Sequence, residues 1–420
     1  MKIIYTSLIY LYLFAIRVAS LFNPKAKLWI EGRKNIFKKL QTQLSTLNSQ
    51  HQTPDSKLIW FHCASLGEFE QGRPLMEKIK KKQPETKILL TFFSPSGYEI
   101  RKSYVGADYI FYLPMDTPSS AKKFIEIVKP EIAIFVKYEF WFNYLNELKK
   151  QHVPTYLTCG IFREDHYFFK NYSAWFRKQL NVFTHFYLQD ESSLNSLNSI
   201  GYHNTTVTGD TRFDRVFEIS KNVKQIDIVR QFVTDKKVFI AGSTWGEDLK
   251  IISDFNFKVG DYKLIIAPHE IDETNIQSTI QQFNSSTIVR YSQANEQNIK
   301  TADVLIIDNI GMLSSLYQYG TIAFIGGGFG KNIHNILEPA TFGLPIIFGP
   351  KYHNFIEAKE LIQLGGAFSI SSSEEFKKTV DLLSKPEALT KAASASKNYV
   401  LSNIGATDKI LRSIFKDHTL

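Results

Sequence analysis

Short apolar runs alternate with polar-periodic stretches of helical length from residue 58 almost to the C-terminus, and no other feature restricts the fold so tightly. Seven runs come first, at 58–63, 88–93, 109–113, 132–136, 155–158, 183–188 and 205–208. They are too short for core helices and are dominated by apolar and β-branched residues. A strand apolar on both faces belongs in a parallel sheet that helices cover on both sides. The segments between them, such as 71–82 and 119–128, supply those helices. A polar, helical connector at 217–235 interrupts the pattern. It restarts with runs at 238–241, 262–267, 286–290, 304–307, 322–325, 345–348 and 367–370. Helices are expected between these at 247–255, 273–283, 313–319, 335–341 and 356–364. The chain of 420 residues is therefore expected to form two α/β domains of ordinary size facing each other across a cleft.

The first 57 residues follow no such pattern. Residues 3–16 carry no charge, Arg17 interrupts, and the apolar stretch resumes through 18–22. A spanning helix needs about 20 apolar residues, a length reached here only if Arg17 snorkels to an interface. Lys25, Lys27, Arg33, Lys34, Lys38 and Lys39 follow, a basic flank suited to anionic headgroups. Membrane attachment through residues 1–24 is the expectation. A signal peptide cleaved near Val18-Ala19-Ser20 and a buried core helix are the alternatives. Gln41 to Ser56 reads as a polar stretch.

The net charge of +9 favours anionic partners. The chain lacks an Arg-rich stripe, zinc-ligand spacing or an aromatic RNA-binding signature, so no nucleic acid is expected. Two cysteines, Cys63 and Cys159, both in strand-like runs, form no disulfide framework and read as buried free thiols.

Parallel sheets bind ligands beyond the carboxyl ends of their strands. Glu68 follows the first strand at a loop-to-helix junction, where a carboxylate can take a proton from an attacking hydroxyl. Ser65 and Glu68 also match a helix capping box, which needs no catalysis. Lys137-Tyr138-Glu139-Phe140-Trp141 follows a later strand and places charge beside aromatics. Arg212, in Gly209-Asp210-Thr211-Arg212-Phe213-Asp214, can neutralise a leaving phosphate or pair with Asp210 or Asp214. In the second half, Pro268-His269, Ile310-Gly311-Met312 and Gly326 to Gly330 each follow a strand. The last has neither P-loop nor dinucleotide spacing. A helix beginning near Asn335 would aim free N–H groups at a phosphate, with Glu338 one turn in and able to bind ribose hydroxyls. No Asp-x-Asp signals a nucleotide-bound metal.

In their order and spacing these motifs resemble the 3-deoxy-D-manno-octulosonic acid (Kdo) transferases. The resemblance runs from the N-terminal segment and Gly32-Arg33 through Ala64-Ser65-Leu66-Gly67-Glu68, Glu139-Phe140-Trp141, Val207 to Asp214, Ala267-Pro268-His269 and Gly326 to Phe329. It continues through His334-Asn335-x-Leu337-Glu338-Pro339-Ala340 to Gly349-Pro350 and Asn354-Phe355. It implies a GT-B-like α/β fold and inverting transfer of Kdo from CMP-Kdo to a lipid A precursor, lipid IVA. It further implies no metal or other cofactor and a place at the cytoplasmic face of the inner membrane. On the same resemblance Glu68 is the general base and Arg212 the transition-state stabiliser, with Lys137 and Glu139 as accessory groups. Pro268, His269, Ile310, Gly311, Met312, Asn335, Ile336, Leu337 and Glu338 match the CMP-binding segments. Lys137 stands where many relatives carry a glutamate, His269 where they carry arginine, Met312 a glutamate and Ile336 a proline.

The expected organisation is thus a membrane-anchor helix over 1–24, an acceptor-binding domain over 25–214 and a CMP-sugar-binding domain over 215–420. Two other readings fit the scaffold: a GT-B enzyme using a UDP-sugar, or a membrane-associated binding protein without turnover.

Overall fold

The computed structural model describes residues 1–50, 57–170, 172–233, 236–255, 262–283 and 286–417. The end of the polar stretch and the last two residues of the connector lie outside them. Four helices open the chain: α1 (Lys2–Ala19), α2 (Pro24–Gly32), α3 (Ile36–Gln50) and, after the first strand, α4 (Leu66–Lys82). The strands of the first sheet are β1 (Leu58–Cys63), β2 (Lys87–Phe92), β3 (Tyr109–Tyr112), β4 (Ile132–Val136), β5 (Thr155–Gly160), β6 (His185–Leu188) and β7 (Thr205–Val207). Those of the second are β8 (Lys237–Thr244), β9 (Tyr262–Pro268), β10 (Ile288–Arg290), β11 (Val304–Ile306), β12 (Ile322–Ile325), β13 (Ile346–Phe348) and β14 (Ala367–Ser369). Every strand expected from the sequence is present, within a few residues at each end.

Both sheets are parallel, ordered β3-β2-β1-β4-β5-β6-β7 and β10-β11-β9-β8-β12-β13-β14. The winding reverses between β1 and β4 in the first and between β8 and β12 in the second, which are the points where such sheets leave a crevice for ligand.

The period of two in β1 divides the first core. Leu58 and Trp60 pack with Phe124, Phe135 and Tyr144 on one face. Ile59, Phe61 and Cys63 pack with Phe69, Leu75 and Met76 on the other. The second sheet carries its own core around Phe239, Leu264, Phe324 and Phe376. Cys63 and Cys159 are buried and free. Burial pushes the thiol of Cys63 well up, with Glu68 and Glu139 adding to it, and that of Cys159 up to about 12.

Two compact units result, residues 1–214 with 405–420, and 215–404. The expected second domain over 215–420 therefore ends early. The last helix, Ala406–Asp417, returns to the first unit, where Ile410, Leu411 and Ile414 join the core of α4. Burying each of those side chains is worth about 1.5–3 kcal/mol. Asp214 accepts from Gly405 N at 2.5 Å and Thr407 N at 2.7 Å, and Lys78 pairs with Asp408 at 2.7 Å. The connector is also two helices, Thr211–Lys221 and Asp227–Val233, not one.

Candidate active site

At the switch point of the first sheet, β1 and β4 deliver their following residues side by side. Ser65 caps α4, and Glu68 lies in its first turn, at the loop-to-helix junction expected. Glu68 Oε2 accepts from Ser65 N at 3.1 Å and from the Ser65 hydroxyl, so the capping box forms. The other oxygen, Oε1, lies 4.0 Å from Lys137 Nζ. Capping thus occupies one oxygen and leaves the second turned toward the cation.

Lys137 directly follows β4 with φ at +74°, a left-handed conformation that costs a non-glycine residue roughly 1–2 kcal/mol. Strain of this kind gathers at functional sites. Beyond it Glu139 is buried, its Oε2 accepting from Trp141 Nε1 at 2.7 Å. Trp141 Nε1 also lies 2.9 Å from His62 Nε2, and His62 Nε2 is 3.4 Å from Glu139 Oε2. His62 is fully buried in β1. Its Nδ1 meets Thr91 Oγ1 at 2.9 Å; that hydroxyl accepts from Trp60 Nε1 and donates to Phe61 O. His62 thus joins Thr91 through Nδ1 and the Trp141–Glu139 pair through Nε2. His62 was not legible as a site residue, because a histidine inside an apolar strand ordinarily marks a satisfied core position.

One turn beyond Glu68, Gln71 Nε2 donates to Asp210 Oδ2 at 3.1 Å. Arg212 Nε donates to the same oxygen at 2.8 Å and Arg212 N to Oδ1 at 2.9 Å. Arg212 is therefore ion-paired with Asp210, while Asp214 is taken up by the C-terminal helix. Through Gln71 the Asp210–Arg212 pair, its guanidinium side chain a third exposed, is tied to α4, the helix that carries Glu68.

The second unit gathers its residues at the carboxyl ends of β8, β9 and β12. His269, exposed after Pro268, stacks on Trp245 and on His334, with ring centroids 4.5 Å apart in both cases. Trp245 Nε1 donates to His334 Nε2 at 3.2 Å. Asp248, fully buried, accepts from Trp245 N at 2.9 Å and Gly327 N at 2.8 Å, clamping the glycine-rich loop. That loop packs against backbone: a Cβ on Gly328 would stand 2.6 Å from Gly349 N, and one on Gly327 would overlap Asn332 O. Gly326, Gly327 and Gly328 thus serve close backbone packing.

The helix expected at 335–341 begins at Leu337 and is five residues long, too short for much dipole. Asn335 Oδ1 accepts from Leu337 N at 3.1 Å, and Asn335 Nδ2 donates to Glu338 Oε1 at 3.1 Å. The amide expected to face a phosphate is thus occupied. Ile336 and Leu337 are buried, backbone included. Ile310 is 87% exposed, Gly311 has φ at +90°, and Met312 precedes a short helix, Leu313–Leu316.

Burial, with His269 second, holds the His334 pKa down at about 4. An unfolded histidine titrates near 6.5. Between those values the unfolded chain binds a proton that the fold refuses. Stability is therefore full above about pH 6.5 and falls as pH drops toward 4. The urea midpoint of the native chain is expected to fall more between pH 7 and pH 5 than that of His334→Gln, whose side-chain oxygen can still accept from Trp245. Equal falls would contradict it.

The sequence profile of 3-deoxy-D-manno-octulosonic-acid transferase (kdotransferase) matches residues 35–215. A 3-deoxy-D-manno-octulosonic acid transferase of Aquifex aeolicus is 30% identical over 337 residues, which cover 78% of this chain and 86% of that one. A bifunctional glycosyltransferase/methyltransferase of Fusobacterium nucleatum is 30% identical over 343 residues; these cover 78% of this chain but only 53% of that protein, so the match spans about half its length. Among solved structures, UDP-GlcNAc 2-epimerase from Neisseria meningitidis bound to UDP-GlcNAc superposes with a TM-score of 0.61 at 17% identity, covering 86% of this chain and all of the other. That likeness concerns the fold.

Proposed function

The chain belongs to the 3-deoxy-D-manno-octulosonic acid transferase family, and from that premise we propose that this glycosyltransferase moves Kdo from CMP-Kdo to a hydroxyl of a lipid A precursor, lipid IVA, at the cytoplasmic face of the inner membrane. The observation that carries the residue roles is the cluster of Glu68, Lys137 and Glu139 at the switch point of the first sheet.

In this reading the first unit binds the acceptor. Oε1 of Glu68 takes the proton of the acceptor hydroxyl as its oxygen attacks the anomeric carbon. The new C–O bond forms as the bond from that carbon to the phosphate oxygen breaks with inversion, and the electron pair leaves on CMP. Lys137 faces the donor carboxylate, and Glu139, held by Trp141 and His62, orients the sugar. Arg212 answers the charge developing on the phosphate. A single phosphate met by a guanidinium needs no metal or other cofactor. In the second unit, Pro268, His269, Ile310, Gly311 and Met312 line the nucleotide, with the segment Asn335-Ile336-Leu337 beside them. Glu338 faces the ribose.

The test is transfer by the purified full chain, with CMP-Kdo or a UDP-sugar as donor and a tetraacylated lipid A precursor as acceptor. Product with CMP-Kdo alone supports the reading. Product from the UDP-sugar would transfer the chain to the other GT-B reading.

A further inference from the structure

Helix α1 is long and apolar enough to cross a membrane, yet its contacts run along its length. Tyr5, Ile9, Leu13 and Ile16 form one stripe, packed against a cluster holding Trp29, Phe93 and Met115. From Tyr5 to Ile16 that seam covers about 17 Å of helix. At its start the Tyr5 hydroxyl donates to Asp116 Oδ2 at 2.6 Å. The same carboxylate, almost fully buried, accepts from Asn143 N at 3.2 Å and Tyr144 N at 3.0 Å, the first amides of the helix Phe142–Lys150. That helix begins directly after Glu139-Phe140-Trp141. Further along the seam, Phe93 lies 4.5 Å from the Trp141 ring. The helix is therefore seated on the residues that follow β2, β3 and β4, the same sheet edge that carries Glu68 and Glu139.

The opposite stripe has another character. Ile3, Ile4, Leu11, Phe14 and Val18 are between 45% and 81% exposed, and Leu21 and Phe22 beyond the helix more than 70%. Residues 1–40 carry eight lysines and arginines against one acid, Glu31. One apolar face turned outward with a basic surround is the chemistry of an anionic bilayer surface. A helix perpendicular to the bilayer would draw its seam partners toward about 30 Å of hydrocarbon. A buried carboxylate and helix-end amides have no place there.

We propose that α1 lies in the plane of an anionic membrane surface, docked lengthwise on the first unit, and does not cross the bilayer. The carboxyl edge of the first sheet then faces the headgroup layer in which a lipid acceptor presents its hydroxyl. The inference rests on the membrane reading above and gives it a geometry.

The test is single-cysteine labelling of the full chain in cells of a Gram-negative host, using Lys2→Cys and, separately, Lys25→Cys in the basic flank. Both positions are exposed, and the native thiols are buried. A membrane-impermeant maleimide is applied to inverted inner-membrane vesicles and to right-side-out spheroplasts. Both cysteines should react in inverted vesicles without detergent, to similar extents, and neither in spheroplasts. Reaction at residue 2 in spheroplasts, or in inverted vesicles only after detergent, would overturn the in-plane geometry while leaving membrane attachment intact. Absence of the chain from the membrane fraction would instead reject the membrane reading itself.

Discussion

Glu68→Gln is expected to lower kcat by about 10²–10⁴-fold, the range that a positioned general base supplies. Thermal stability and the KM for the donor should hardly change. The separation is possible because the two oxygens of Glu68 have different work. Oε2 closes the capping box on Ser65, and Oε1 faces Lys137. Glutamine at this position of a capping box still caps, so the substitution removes the proton acceptor and keeps the helix start. Glu68→Ala removes both and should add about 1 kcal/mol of destabilisation to the same loss of rate. Initial rates of CMP release, set beside thermal unfolding of each variant, separate the outcomes. Full activity in Glu68→Gln would leave Glu68 as a cap alone.

Arg212→Ala carries the second large effect. Removing a group that answers charge on a leaving phosphate is expected to cost about 10²–10³-fold in kcat. It also strips a partner from Asp210, which is 6% exposed and keeps only Gln71 Nε2 and the Arg212 amide among the contacts described. Leaving a buried acceptor short of a partner costs about 1–3 kcal/mol. The double variant Arg212→Ala with Asp210→Asn discriminates, since the neutral amide no longer needs the cation. Stability should return and the rate should not. If the rate returned with stability, Arg212 would be a structural ion pair whose loss merely loosens α4.

The strands were legible because burial on both faces of a parallel sheet leaves an unbroken apolar signature, as in Leu58 to Cys63. The position of Glu68 was legible too, since a strand end followed by a capping box is local information. The return of the last helix was not. Ile410, Leu411 and Ile414 read as an amphipathic stripe without an address, and their partner α4 lies more than 300 residues earlier in the chain. The same limit hid His62, whose meaning depends on Thr91 from β2 and Trp141 from the segment after β4. In the second unit the sequence pointed to Asn335 as the start of a phosphate-facing helix. The helix begins two residues later, at Leu337, whose amide donates to the Asn335 side chain. Trp245 gave no signal, since its role is a stack with His269 and His334 from different strand ends.

Of all measurements, the mass of the lipid product from purified chain, CMP-Kdo and the tetraacylated precursor bears most directly on the central claim. A product heavier than the acceptor by one or more whole Kdo residues, formed with stoichiometric release of CMP, is the predicted result. An unmodified acceptor, with CMP-Kdo consumed only by hydrolysis or not at all, would contradict it.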